Sequence, residues 1–453
     1  MRAAPTLSRL TAATRELREL EAVRFEGRIA AVSGLSVDIN GLAGQLAVGD
    51  RFDLVTRDGR EILAEVVGVR EESIQAMTFA PVDGLGAGGR AVVRASGVRG
   101  ALAVDDAWIG RIIDPLGQPL DRKGQLNRGS HAVPVRCSPP AATLRARLGP
   151  RIDLGVRALN LFATCRQGQR LGLFSGSGVG KSTLLAMLAK FTQCDVAVIA
   201  LVGERGREVR EFLEDELGAA GLARAVVVVA TSDAPPLLRR EAAYSAMTVA
   251  EYFRDKGKNV LLMMDSVTRF CLALREIGLA SREPPATRGY PPSVFAELPR
   301  LLERAGPGLE GCGGAITGLF TVLVEGDDHN EPVADAVRGI LDGHVIFDRR
   351  IGERGRYPAI DVLRSLSRTV PGCNALEENA LVRRARAVLA LYADVADLVR
   401  LGAYRAGADP VVDEAVVLAP LLEALLTQHK DEGCALEMSF GMLRAVLGDL
   451  EGR

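Results

Sequence analysis

Between Leu171 and Thr183 the chain reads as an apolar run, then glycines, then a lysine and two hydroxyls, an order that few folds accommodate. Leu171 to Phe174 suits a buried strand. Ser175, Gly176, Ser177, Gly178, Val179 and Gly180 make a glycine-rich turn. Lys181, Ser182 and Thr183 follow, and Leu184 to Leu188 continues as a helix-forming run. Strand, turn and helix start in this sequence define a phosphate-binding loop. Glycines let successive backbone N–H groups curl around a phosphate, and the helix N-terminus adds partial positive charge. In such a loop Lys181 reaches the terminal phosphates and the Ser182 hydroxyl takes a place on Mg²⁺. The first slot, usually glycine, holds Ser175.

A chain of 453 residues is too long for one ordinary domain, and about three are expected. Apolar residues make up 48% and charged residues 25%, the balance of a soluble globular protein with an ample core. A net charge of −1 gives no general grip on nucleic acid or an anionic membrane. Seven cysteines are scattered without a C-x-x-C pair and four histidines stand far apart, which argues against zinc and a disulfide framework and for a reducing cytosol. No secretion signal is visible. The uncharged segment from Gly311 to Val324 is too short to span a bilayer, so membrane association is expected only through partners.

Residues 1–21 carry Leu7, Leu10, Leu17 and Leu20 at the spacing of an amphipathic helix, suited equally to intramolecular packing and to partner binding. Residues 22–95 change to short alternating runs (27–33, 35–39, 51–55, 62–67) punctuated by glycines, which predicts a small β-barrel. A nucleic-acid platform wants a basic groove with stacking aromatics. Residues 1–95 hold 12 Arg and no Lys against 13 acids, with only Phe25, Phe52 and Phe79 as aromatics, so the barrel is not read as one. Turn formers between Ile109 and Asp121 and prolines at 134, 139 and 140 mark a connector, with Trp108 as packing.

Residues 96–375 are read as the core domain. Apolar runs at 171–174, 196–202, 225–230, 260–264 and 315–324 suit strands buried on both faces, and helical stretches at 184–192, 207–217, 238–256 and 267–277 separate them. The alternation predicts an α/β fold with a largely parallel sheet, helices on both sides and ligands at the carboxyl ends of the strands. Residues 376–453 lose the strands, and helical periodicity over 381–400 and 411–428 predicts a C-terminal helical domain.

Three features converge on the phosphate loop. Val260 to Met264 is an apolar run ending in Asp265, which presents a carboxylate to a Mg²⁺-bound water. The run 196–202 ends in Gly203, Glu204 and Arg205, where a carboxylate can orient and deprotonate an attacking water; a surface ion pair is the alternative. Arg368, in Ser-Leu-Ser-Arg after the last expected strand, suits stabilisation of charge on the transferring phosphate or a structural salt bridge.

The loop itself, the Gly203-Glu-Arg-Gly-Arg-Glu-Val209 block, Pro284 to Phe295, Glu325 to Gly343 and Tyr357 to Arg368 resemble the type III secretion ATPases, relatives of the catalytic subunits of rotary ATP synthases. The resemblance runs from the barrel to Tyr404 and favours the flagellar export branch over the virulence injectisome. It implies a RecA-like core hydrolysing ATP with Mg²⁺ as a homohexamer, in the cytoplasm at the inner face of a membrane export apparatus. It implies that Lys181 and the loop bind phosphate, Ser182 and Asp265 serve Mg²⁺, Glu204 activates water and Arg205 helps hold the γ-phosphate. Tyr357 matches the residue that stacks on adenine, and Arg368 the finger that reaches a neighbour's site. Implied partners are a stalk-like regulator on the N-terminal segment, a central coiled coil, the export gate, and chaperones or exported substrates on the C-terminal helices.

Leu154 and Asn160 depart from the Thr and Asp common at those positions, as Ser175 does in the loop. Three rivals are a rotary synthase subunit in a heterohexamer, an RNA-tracking translocase and a scaffold that binds nucleotide without hydrolysing it.

Overall fold

The computed structural model describes residues 24–93, 100–176, 178–324 and 331–448. The expected helix over 1–21, Ser177 and the start of the Glu325 block lie outside the described residues. Six strands, β1 (Phe25–Ser33), β2 (Ser36–Asn40), β3 (Arg51–Val55), β4 (Glu61–Val69), β5 (Ser73–Thr78) and β6 (Arg90–Val93), close a barrel in the order β1-β2-β5-β4-β3-β6. In β3 the alternation is plain, with Phe52 and Leu54 inward between half-exposed Arg51, Asp53 and Val55. The last two strands were not anticipated. Ser73–Thr78 is buried almost throughout, so it lacks the polar–apolar alternation used to find the others.

Beyond the barrel, β7 (Ile112–Ile113), β8 (Arg170–Ser175), β9 (Val196–Glu204), β10 (Ala225–Thr231), β11 (Asn259–Asp265), β12 (Ala315–Leu323), β13 (Gly343–Phe347) and β14 (Ile360–Ser367) share one sheet. Its order is β14-β13-β8-β12-β11-β9-β10-β7, parallel except for the β13–β14 pair. The five long central strands are the apolar runs read from the sequence, buried on both faces because helices cover each side. Strands β13 and β14 were missed. Strand β14 is an edge strand with Leu363, Arg364 and Leu366 exposed, so it does not read as a continuous apolar run. Ser365 and Ser367 therefore lie inside the last strand rather than after it, and Arg368 is the residue that follows.

The barrel is joined to the core by buried charges. Arg240, on the helix Pro236–Asp255, meets Glu65 of β4 at 2.7 Å with both side chains almost wholly enclosed, and Arg51 of β3 pairs with Glu241 of the same helix. Such pairs offset their desolvation only when both partners are present. Trp108 is buried and donates from its indole N–H to the carbonyl of Asn127 at 2.7 Å, the packing role expected.

Helices Leu376–Arg400, Pro410–Leu426 and Leu436–Leu447 form the C-terminal region, the third adding to the two anticipated. It is tied to the core through the departures at Leu154 and Asn160. Asn160 is buried; its Oδ1 accepts from the N–H of Leu154 at 3.0 Å, and its Nδ2 donates to Asp153 Oδ1 at 2.9 Å and to the carbonyl of Cys434 at 3.1 Å. An aspartate could not make the last two bonds. This knot sits near Phe191, at the far end of the helix Lys181–Phe191 from the phosphate loop, so the departures bear on domain packing and not on the loop. Among the described residues no helix is long and apolar enough to cross a membrane. Asn160→Ala leaves buried donors and acceptors unpaired and is expected to cost about 3 kcal/mol. The urea midpoint followed by circular dichroism should fall, and an unchanged midpoint would show the knot to be dispensable.

Candidate active site

Strand β8 ends at Ser175, the loop turns through Gly178 and Gly180, and the helix Lys181–Phe191 begins. Gly178 (φ +76°) and Gly180 (φ +85°) are left-handed, conformations that side chains resist. Gly180 also lies against the ring of Tyr357, close enough that a Cβ would be in ordinary contact with it. Sequence therefore fixes the loop by backbone permission, and the parallel sheet then brings the acidic strand ends beside it.

Lys181 Nζ lies 2.5 Å from Asp265 Oδ1 and 3.8 Å from Glu204 Oε1. Asp265 ends β11 and Glu204 ends β9, adjacent strands, so both carboxylates emerge at one edge of the sheet. Both are buried. Glu204 is also held by Arg269, whose Nε is 3.1 Å from Oε1. Burial first, and then the negative charge of Asp265, push the Glu204 carboxyl up to about 7, against the pull of Lys181 and Arg269. A carboxylate with this pKa suits proton abstraction near neutrality. The ion-pair alternative for Glu204 does hold in part, since Lys181 and Arg269 both pair with it, but the pairing is inside the site and not on the surface.

Lys181, Glu204 and Arg269 line a cavity of about 710 Å³ with Gly176, Gly178 and Ser182 among others, and Asp265 borders a smaller recess that shares Ser182 and Glu204 with it. Thr183 and Arg205 also line it, whereas Ser175 and Val179 are buried away from it. Arg205 stands at the rim, with its side chain 73% exposed and paired to Glu208 at 3.1 Å. Tyr357 is not among the lining residues; it is half-exposed against Gly180, and its carbonyl accepts from the N–H of Gln428, which ties it to the C-terminal region.

Arg368 is not in this cavity. Strand β14 runs antiparallel to β13, so its end returns to the amino edge of the sheet, where Ser367 pairs with Gly343. The N–H of Arg368 donates to the carbonyl of Asp342, whose own N–H donates to Arg170 at the start of β8. The loop leaves the other end of β8, five residues or about 17 Å away at the usual strand rise. Arg368 is exposed and has no side-chain partner among the described residues.

Sequence reasoning missed Arg269, Thr321 and Arg349. Arg269 sits in the first turn of the helix Val267–Ala280, which Ser266 caps, so it folds back over the end of β11. Asp265-Ser-Val-Thr-Arg269 carried that signal as a cap after an acidic strand end. Thr321 Oγ1 donates to Asp265 Oδ1 at 2.7 Å from the adjacent strand, a relation only the sheet register creates. Arg349 lines the cavity from the start of the short helix Arg349–Glu353 that follows β13.

The donors suit Mg²⁺. The Ser182 hydroxyl and the carboxylates of Asp265 and Glu204 border one small recess, all hard oxygens. Among the described residues no group of three or more Asp, Glu, His or Cys could cage a metal. A cation here would keep waters and lean on phosphate oxygens, as Mg²⁺ does.

Fold and site together define a nucleotide-hydrolysing machine of the P-loop type. The model of the ATP synthase alpha/beta family nucleotide-binding domain matches residues 155–367, and that of the T3SS EscN ATPase C-terminal domain matches 375–445. The chain belongs to the ATP synthase alpha/beta family, in its type III secretion ATPase branch. It is 53% identical to the flagellum-specific ATP synthase of Caulobacter vibrioides, over 95% of this chain and 98% of that one. It is 45% identical to a type 3 secretion system ATPase of Xanthomonas euvesicatoria, over 97% and 98%. Among solved structures, the assembled ATPase EscN of enteropathogenic E. coli in complex with its central stalk EscO matches with a TM-score of 0.84 at 39% identity, covering 93% of this chain and 100% of that one.

The folded protein keeps the Glu204 proton to higher pH than the unfolded chain, whose carboxyl titrates near 4.5. This group therefore lowers stability as pH rises from about 4.5 to about 7, and Glu204→Gln removes that slope. Across the folded-state titration kcat/KM for ATP should climb with a midpoint near 7 and level off above it. A flat profile between pH 5.5 and 8, roughly the range in which a general base of this kind titrates, would contradict the assignment.

Proposed function

We propose that this chain is the ATPase of a flagellar type III export apparatus, hydrolysing ATP to ADP and phosphate in a homohexameric ring whose sites are completed between subunits. The observation that carries the reading is the division of the machinery. Lys181, Glu204 and Asp265 meet at one edge of the sheet, and Arg368 stands free at the other. A single copy cannot bring the two edges together. A ring of identical copies can, each lending its arginine to the next.

In this reading Lys181 leaves its carboxylates for the incoming β- and γ-phosphates, while the backbone N–H groups of the loop wrap the phosphate chain. Glu204, held by Arg269, orients a water for in-line attack on the γ-phosphorus and takes its proton as the O–P bond to the leaving ADP lengthens. Ser182 and Asp265 would hold Mg²⁺, which would supply charge neutralisation on the phosphates. Arg205 at the rim and Arg368 from the neighbour meet the charge spreading over the transferred phosphoryl group, and Tyr357 packs on the adenine.

The higher identity to the Caulobacter flagellar protein than to the Xanthomonas secretion ATPase supports the flagellar branch over the injectisome. The match of 375–445 to the secretion-specific C-terminal domain supports export over a rotary synthase. EscN is solved with a central stalk, which supports a coiled-coil partner for this chain too. A stalk-like regulator on the N-terminal segment, and the export gate, chaperones and cargo on the C-terminal helices, complete the proposed partners. The ring works in the cytoplasm, at the membrane only through those partners.

Glu204→Gln should bind ATP yet turn it over at least about a hundredfold more slowly in a phosphate-release assay. Near-normal turnover would remove Glu204 from its role. Mixing inactive Arg368→Ala protein with inactive Lys181→Ala protein should recover part of the activity, because mixed rings contain interfaces with a sound loop and a sound finger. No recovery at any ratio would count against shared sites.

A further inference from the structure

Thr321 lies in β12, between the strand that carries the phosphate loop and the strand that carries Asp265. It pairs with Leu173 on one side, and its neighbour Phe320 pairs with Met264 on the other. Its side chain is fully buried. The hydroxyl has one proton and two acceptors in reach, the Met264 carbonyl at 3.1 Å and Asp265 Oδ1 at 2.7 Å. An ionised carboxylate is the stronger acceptor and here the nearer one, so the proton belongs to Asp265.

Asp265 Oδ1 thus takes two donors, Thr321 and Lys181, and among the described residues its carboxylate has no other. They differ in what happens when nucleotide arrives. Lys181 is the group a phosphate chain draws away. Thr321 cannot follow, because it is locked in a central strand. It is also neutral, so it fixes the carboxylate without cancelling the charge that attracts a cation.

We propose that Thr321 is the positioning residue for the carboxylate that would serve Mg²⁺: it holds Oδ1 of Asp265 when Lys181 turns to the phosphates, so that the carboxylate stays fixed and ionised for the cation. This rests on reading the cavity as a Mg²⁺–nucleotide site. Partners of this kind are worth about 10- to 100-fold in metal affinity. A hydroxyl that only satisfied a backbone carbonyl would leave the metal dependence untouched.

The test is equilibrium binding of a fluorescent ADP analogue to the full chain, once with saturating Mg²⁺ and once with excess EDTA. Thr321→Val, close in shape and well suited to a strand, should lose about tenfold or more of the Mg²⁺-dependent gain in affinity while its EDTA affinity stays within about twofold of the parent. Thr321→Ser, which restores the hydroxyl, should recover the gain. If the valine variant does not fold, Thr321→Ala makes the same comparison. An unchanged Mg²⁺ gain in a variant without the hydroxyl, or equal losses with and without Mg²⁺, overturns the inference alone. A parent protein whose ADP binding ignores Mg²⁺ overturns the reading of the site beneath it.

Discussion

The structure depends on one lysine held between two carboxylates. Lys181 can stand beside Asp265 and Glu204 only because β8, β11 and β9 run in the same direction and finish at the same edge. Parallel order gathers strand ends that lie far apart in sequence, and the buried edge makes each charge there expensive unless matched. With no phosphate present, the cation and the acids match one another. In the proposed reaction a phosphate chain competes for the cation, and the two acids are then released from it.

The rest of the chain holds that edge in place. The barrel is fastened to the helix Pro236–Asp255 by Arg240–Glu65 and Arg51–Glu241, enclosed pairs that fix orientation. On the other side Gln428, just past the helix Pro410–Leu426, bonds the carbonyl of Tyr357 and reaches the carbonyl of Gly155, so the C-terminal region is tied to the core beside Gly180.

Much of this was legible in the sequence where burial is uniform. The central strands are continuous apolar runs, and the loop declares itself through glycines that must turn left-handed. What escaped was whatever depends on register or on an edge. Strand β14 hides because exposed Leu363, Arg364 and Leu366 break its apolar run. Thr321 looks like any strand threonine until parallel pairing sets it beside Asp265. Arg269 was overlooked because its function comes from a helix start folding back on the preceding strand. Arg368 stands out in the sequence as a candidate, but its separation from Lys181 is a property of the antiparallel return of β14, which local sequence does not carry.

In the proposed ring the nucleotide site is shared, with the loop from one copy and the arginine from the next. The most direct measurement is a cryo-microscopy map of the assembled protein with Mg²⁺ and a non-hydrolysable ATP analogue, read for the distance from the γ-phosphate to each Arg368. A shared site requires contact at hydrogen-bonding distance with the Arg368 of the adjacent copy, and a separation greater than about 15 Å from the Arg368 of the copy whose Lys181 holds the phosphates. A γ-phosphate bonded to the Arg368 of its own chain, or bound away from Lys181, would contradict it.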